Sequence, residues 1–191
     1  ATAFMRRLNY YLNVNYPGVL MIAEDSSDYP KVTHPTTEMG LGFDYKWDLG
    51  WMNDTLKYYS LDPIYRKFHH HQLTFSMAYF FSENFILPLS HVDLVHGKGT
   101  IINKMWGSYE QKFAQVKNLY GYMFAHPGKK LNFMGNELAH FREWDEKKEL
   151  DWFLMGYERH ENFKITTRFY LDRVDDRCGY HRYFGGDCVT G

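Results

Sequence analysis

The sequence predicts an α/β fold built on a parallel sheet, and three observations lead there. Short apolar runs recur at 19–23, 43–47, 85–90 and 131–134. Stretches with apolar residues at three-to-four spacing, the period of a helix, lie between or beside them. Polar clusters follow the runs, among them Glu24-Asp25, Ser90-His91 and Gly135-Asn136-Glu137. Acids repeated at the same end of successive strands are the pattern of half of a (β/α) barrel rather than of a doubly wound sheet.

Taken in order, residues 3–14 carry Phe4, Leu8 and Tyr11 at helical spacing, with Arg6 and Arg7 on the other side, and predict an amphipathic helix that Pro17 and Gly18 stop. The run 19–23 is then a buried strand presenting Glu24. Residues 25–42, punctuated by Pro30, Pro35, Gly40 and Gly42, are a long loop, either the wall of a cleft or plain surface. A short strand at 43–47 leads through Asp48, a residue able to cap, into a helix, and Asp62-Pro63 starts another helical piece. Residues 73–81 are apolar and ambiguous, read here as helix, and 85–90 form a buried strand. Phe113, Val116, Tyr120 and Met123 place a strong helix over 109–124, terminated by Pro127-Gly128, before the strand at 131–134.

Composition narrows the function. The net charge is −1 with the signs interspersed, so nothing suggests capture of nucleic acid or of an anionic membrane. No apolar stretch approaches membrane-spanning length, no signal-peptide pattern opens the chain, and two cysteines, Cys178 and Cys188, make no disulfide framework. The reducing cytoplasm is the default compartment. The missing initiator Met suggests that the chain begins in the middle of something. Aromatic residues reach 19%, many of them beside Gly, Asn, Asp and His, which suits a cleft that stacks rings on sugar faces while side chains bond the hydroxyls. His69, His70 and His71 invite a metal reading, but neighbours in sequence point in different directions, and a capping or hydrogen-bonding role is the alternative. Glu24 is the first catalytic candidate, because an acid at the C-terminal end of a buried strand stands where parallel folds place their chemistry; the competing reading is a helix cap or a solvated loop acid.

With these strand ends assembled, the chain resembles the bacterial type of glycogen branching enzyme, of the α-amylase superfamily. The landmarks are Met21-Ile22-Ala23-Glu24-Asp25-Ser26, the stretch from Gly42-Phe43-Asp44-Tyr45-Lys46-Trp47 through Trp51-Met52, Asn84-Phe85-Ile86-Leu87-Pro88-Leu89-Ser90-His91, His96-Gly97-Lys98, Phe133-Met134-Gly135-Asn136-Glu137, and Arg142-Glu143-Trp144 followed by Leu150-Asp151-Trp152. The resemblance implies the C-terminal half of a (β/α)8 TIM barrel, about strands 5–8 with their helices and incomplete as a closed barrel, over residues 1–155. Residues 156–191 are read as a divergent C-terminal segment that could include the last barrel helix and a tail.

The activity so implied is cleavage of an α-1,4-glucan chain and its reattachment through an α-1,6 branch, with retention, which calls for a nucleophile and an acid/base. Glu24 matches the general acid/base, its pKa expected to be raised by partial burial beside aromatic walls. The family's nucleophile, an Asp on the preceding strand, has no counterpart, so the chain alone is expected to be inactive and to lack the N-terminal half of its own barrel. A third carboxylate, directly after the histidine matched by His91, falls on Val92 here. Asp93 is its stand-in, and would need a bulge, because a one-residue displacement along a strand turns a side chain to the other face. His91, Trp47, Trp51, Asn136, Glu137, Arg142 and Trp144 are the expected substrate-binding residues. No metal or cofactor is expected, and the partner is a glycogen- or amylose-like glucan. A hydrolytic relative and a non-catalytic glucan-binding remnant are the competing readings.

Overall fold

The computed structural model describes residues 1–90 and 99–178. Their elements run α1 (Thr2–Asn15), β1 (Ile22–Ala23), β2 (Tyr45–Trp47), α2 (Leu49–Ser60), α3 (Pro63–Arg66), α4 (His71–Thr74), β3 (Phe85–Leu89), α5 (Ile101–Lys104), α6 (Tyr109–Ala125), β4 (Lys129–Asn132) and α7 (Glu158–Cys178). The four strands are parallel and lie in sequence order, β1-β2-β3-β4. A doubly wound sheet reverses its order at a switch point. A sheet that advances one strand at a time is compatible with part of a barrel, as the sequence pattern suggested.

Side-chain alternation assigns the two faces of this sheet. Leu87 and Leu89 of β3 join the main core with Trp51, Met52 and Leu56 of α2, Ile101 and Ile102 of α5, Phe113, Val116, Leu119, Tyr120 and Met123 of α6, and Phe163 of α7. Asn132 of β4, level with Leu89, faces the same way, since its Oδ1 accepts from the Tyr120 hydroxyl at 2.7 Å. The opposite face carries Ile22, Tyr45, Trp47, Ile86, Pro88, Lys129 and Leu131 by register, and the Lys129 ammonium stands 5.8 Å from the Tyr45 ring across β3. None of these seven belongs to the helix-packed core.

Local chemistry explains most boundaries. Asp48 caps α2, its Oδ1 accepting from Trp51 N–H at 2.8 Å, and Asp62 caps α3 ahead of Pro63. Ser108 and Gln111 form a capping box on α6. Gly128, at φ +104°, turns the chain tightly against Phe85 O and starts β4 two residues ahead of the expected run. Gly135, at φ +86°, ends the extended segment and leaves Met134 exposed. The first expected strand shrinks to Ile22–Ala23 because Val19 and Leu20 are exposed rather than buried.

Two expectations are corrected. The helix over 3–14 forms, but Phe4 is 69% and Tyr11 53% exposed, and its buried residue is Asn9. It is fastened by polar groups instead. Asn9 Nδ2 donates to Leu41 O at 2.8 Å, Arg6 Nε to Gly40 O at 3.0 Å and Arg6 Nη2 to Met39 O at 2.6 Å. The stretch 73–81 is not one helix. Helix α4 stops after four residues and a 3-10 turn follows over Phe75–Ala78. Buried Ser76 there shares a hydrogen bond with His126 Nε2 at 2.8 Å, which draws the polar side chain inward and leaves Phe75 outside.

Candidate active site

In a parallel sheet all C-terminal strand ends lie along one rim, and that rim gathers the polar clusters that the sequence marked. Strand β1 leads to Glu24 and Asp25, β2 to Asp48, β3 to buried Ser90, and β4 to Phe133 and then the 3-10 turn Asn136–Leu138. Alternation from Ile22 puts Glu24 on the face away from the helices. One step past the pairing of Ala23 with Lys46, Glu24 comes level with Trp47, which is on that same face. Glu24 is exposed and Trp47 half-buried. The expected partial burial of Glu24 between aromatic walls is therefore absent among the described residues; on this face Ile86 and Pro88 in the middle of the sheet are buried, whereas the positions on β1, β2 and β4 are only half-buried.

The loop after Glu24 is fixed at three places. Lys46, 6% exposed in the middle of β2, pairs with Asp25 Oδ2 at 3.0 Å and donates to Ser27 O at 2.9 Å. Asp25 in turn accepts from Ser27 N–H at 3.1 Å and from the Ser27 hydroxyl at 2.9 Å. Burial raises the Asp25 pKa, but the Ser27 N–H, the Lys46 ammonium and the Ser27 hydroxyl together bring it below its ordinary value. Glu83 takes Val32 N–H at 2.9 Å and Thr33 N–H at 2.7 Å. The α1 contacts to Met39, Gly40 and Leu41 are the third anchor. Under the loop Val32 and Leu41 form a small second core with Ala23. None of Lys46, Asp25 or Glu83 stood among the expected site residues; the one signal was a lysine between two aromatics in an otherwise apolar strand.

The remaining candidates separate into rim and core. Trp51, expected to bind substrate, is 1% exposed and stacked on Tyr122 with ring centroids 6.1 Å apart, so its ring packs the core. The cause is the Asp48 cap, which starts α2 and turns its first aromatic inward. Asp48 is buried as well, and burial raises its carboxyl above the ordinary value despite bonds from Trp51 N–H and the Tyr79 hydroxyl. Asn136, 5% exposed, donates to Leu89 O at 2.9 Å and ties the β3 and β4 ends together. Glu137 is half-buried, and burial together with the Glu137 charge pushes the Tyr120 hydroxyl pKa up.

Farther along the rim, Trp144 meets Phe133 edge to face at 5.5 Å, and Glu143 Oε1 accepts from Gly99 N–H at 2.8 Å. Arg142 holds Asp151 with Nε at 3.0 Å and Nη2 at 2.7 Å and also donates to Glu149 O, beside a shallow hollow lined in part by His140, Trp144 and Leu150. His91, Val92 and Asp93 lie outside the described residues. Among the described residues no three His, Cys, Asp or Glu side chains are gathered as metal ligands. His70 lies edge-on to Tyr58 at 6.5 Å, and the His69 and His71 rings are 6.0 Å apart. No helix among the described residues is long and apolar enough to cross a membrane.

No family model matches the chain. Curated proteins do. It is 56% identical over 168 residues to the 1,4-alpha-glucan branching enzyme GlgB of Aquifex aeolicus, covering 88% of this chain and 27% of that protein. The protein of that name from Fusobacterium nucleatum is 60% identical over 174 residues, covering 88% and 28%. The one from Geobacillus stearothermophilus is 49% identical over 183 residues, covering 96% and 28%. The chain thus spans about a quarter of the length of the curated relatives it matches, and a matched stretch of this length runs beyond residue 155 and into α7.

Proposed function

We propose that this chain, homologous to a segment of the 1,4-alpha-glucan branching enzymes, is the rear part of the catalytic barrel of such an enzyme and carries its general acid/base, Glu24. The observation that supports this most directly is the placement of exposed Glu24 level with half-buried Trp47 on the face turned away from the helices, at the C-terminal rim of a parallel sheet. The barrel is completed by strands outside residues 1–191, which also bring the nucleophile. The half-buried residues of β1, β2 and β4 on the face turned away from the helices and the exposed side of α1 suit such a completion.

The chemistry follows from retention. Glu24 gives its proton to the departing glycosidic oxygen as the bond to the anomeric carbon breaks and that carbon passes to the nucleophilic carboxylate. Glu24, now ionised, takes the proton of an acceptor 6-hydroxyl as that oxygen attacks the same carbon and the enzyme carboxylate leaves. Glu24 must carry its proton at the first step. It is exposed here, and the apolar surroundings that suit a proton donor come with the completed barrel. Trp47 and Trp144 are the stacking platforms for the glucan, Glu137 and Arg142 border the site, and His91 and Asp93, one place after Val92, grip the sugar being distorted. Trp51 and Asn136 act by packing and tethering rather than by touching glucan. The chemistry uses no metal or cofactor, and the compartment is that of soluble glycogen metabolism.

The test is Glu24→Gln in the full-length protein. New α-1,6 linkages, counted after a debranching digest, fall about 10²–10⁴-fold, the usual worth of a positioned general acid. Undiminished branching overturns the assignment. Wild-type release of reducing ends without new branches points instead to a hydrolase, and glucan retention without any turnover to a binding remnant.

A further inference from the structure

We propose that Lys46 is a positioning residue for Glu24: from the helix-packed side of the sheet it grips the chain just past the acid and so fixes the direction in which the Glu24 carboxyl leaves the strand end. This rests on the acid/base reading of Glu24 given above.

The argument is one of faces. By register Ile22 lies on the face turned away from the helices and Ala23 on the side of Lys46; the ion pair to Lys46 puts Asp25 on that side too, and Glu24 between Ala23 and Asp25 falls to the side of Ile22 when the alternation is continued past the strand. Lys46, level with Ala23, is on the side of Asp25, and its ammonium reaches two residues along the chain to that carboxylate at 3.0 Å and on to Ser27 O at 2.9 Å. Strand β1 has only two residues and ends at Ala23, so no ladder hydrogen bond holds residues 24–27. Their conformation is held by one side-chain cluster: Lys46 on Asp25 and Ser27, and Asp25 on Ser27 N–H and hydroxyl, with Ser27 Oγ accepting Tyr29 N–H at 3.2 Å.

An acid between a two-residue strand and a loop would otherwise turn freely about its backbone, and misplacement of a proton donor by about 1 Å is enough to lower turnover about 10²-fold. Lys46 is 8% exposed as a side chain, whereas Asp25 is 35% exposed. The buried cation is thus the fixed end of the pair, and the loop carboxylate comes to it. A lysine buried within a short strand costs desolvation, which its contacts to Asp25 and Ser27 O offset. This cost is explained if the geometry beyond the strand is what it secures.

The test compares two substrates in the full-length enzyme. Transfer from amylose needs a proton on the leaving oxygen; the first-turnover release of fluoride from a maltosyl fluoride, in which the C–F bond breaks as the nucleophile bonds carbon, does not. Glu24→Gln checks the underlying reading: amylose transfer falls about 10²–10⁴-fold while fluoride release stays within about tenfold. Lys46→Met is expected to show the same selectivity in milder form. Its kcat on amylose falls about tenfold or more with KM little changed, fluoride release stays within about twofold, and Lys46→Arg recovers most of the loss. Asp25→Asn, at a half-exposed position, shifts both readouts in the same directions and decides the matter if Lys46→Met does not fold. Equal losses on both substrates, or none on either, overturn the proposal. Failure of the acid/base reading is recognised separately, by Glu24→Gln sparing amylose transfer or lowering both activities alike.

Discussion

Helices α6 and α1 carry the same sequence signature and meet opposite fates. Each sets apolar residues at three-to-four spacing along one side. In α6 the stripe Phe113, Val116, Tyr120 and Met123 is between 0 and 2% exposed, packed against β3, α2 and α7. In α1 Phe4 and Tyr11 are more than half exposed, while Asn9, Arg6 and a small contact from Met5 attach the helix to the loop beside it. Periodicity reports that a stripe exists, not what covers it. The elements that cover α6 are among the described residues, and none of them covers the stripe of α1.

The largest test of that contrast is Phe113→Ala. Emptying a fully packed aromatic site costs about 3–5 kcal/mol, read as a lower denaturation midpoint of the 191-residue chain. A cost below about 1 kcal/mol would mean that the α6 stripe is not the core.

A smaller effect belongs to the C-terminal end of α6. Burial lowers the His126 pKa, and the ring stays neutral with Nδ1–H donating to Pro127 O at 2.8 Å and Nε2 accepting from Ser76. The unfolded chain then binds more protons than the folded one between the depressed pKa and the ordinary value near 6.5, so stability rises with pH across that window and is lost on acidification. Thermal midpoints recorded downward from about pH 7 should fall, and His126→Gln should flatten that part of the curve. An unchanged slope in the variant would assign the acid sensitivity to another group.

Smallest is Phe4→Ser, expected to alter the midpoint of the 191-residue chain by no more than about 0.5 kcal/mol. In the full-length protein the same change should cost about 2 kcal/mol or more if the missing barrel strands and helices bury that ring. Equal small effects in both would leave the α1 stripe uncovered in the complete protein.

How much could be read from the sequence follows the same logic. Strand β3 was legible because it is buried on both sides, so its five residues form an unbroken apolar run. The cap at Asp48 and the breaks at Pro127-Gly128 were legible because they act over a few residues. The position of Glu24 directly after a strand was legible, although that strand is two residues long rather than the buried run 19–23. Trp51 was misread because it was carried over with the landmark stretch in which it lies, and only the cap geometry and its burial show that it turns inward. The clamp of Lys46 on Asp25 joins residues 21 apart in sequence through strand register, which no local pattern encodes. The end of α4 was missed because the hydrogen bond from Ser76 reaches His126, 50 positions away.

Gly40, in the loop after Glu24, has a consequence of another kind. A Cβ there would stand 2.1 Å from His34 O, a clash with backbone that no rotamer change relieves. The loop closes on itself at that point, with Gly40 N–H on Pro35 O and Gly42 N–H on His34 O. In a saturation-mutagenesis survey, position 40 would tolerate substitution as poorly as Leu87 in the middle of the sheet, although it lies in a surface loop. Variation within the family would then be expected at the loop's exposed tips and not at its waist, so the surroundings of the acid would drift in surface chemistry while keeping one backbone path.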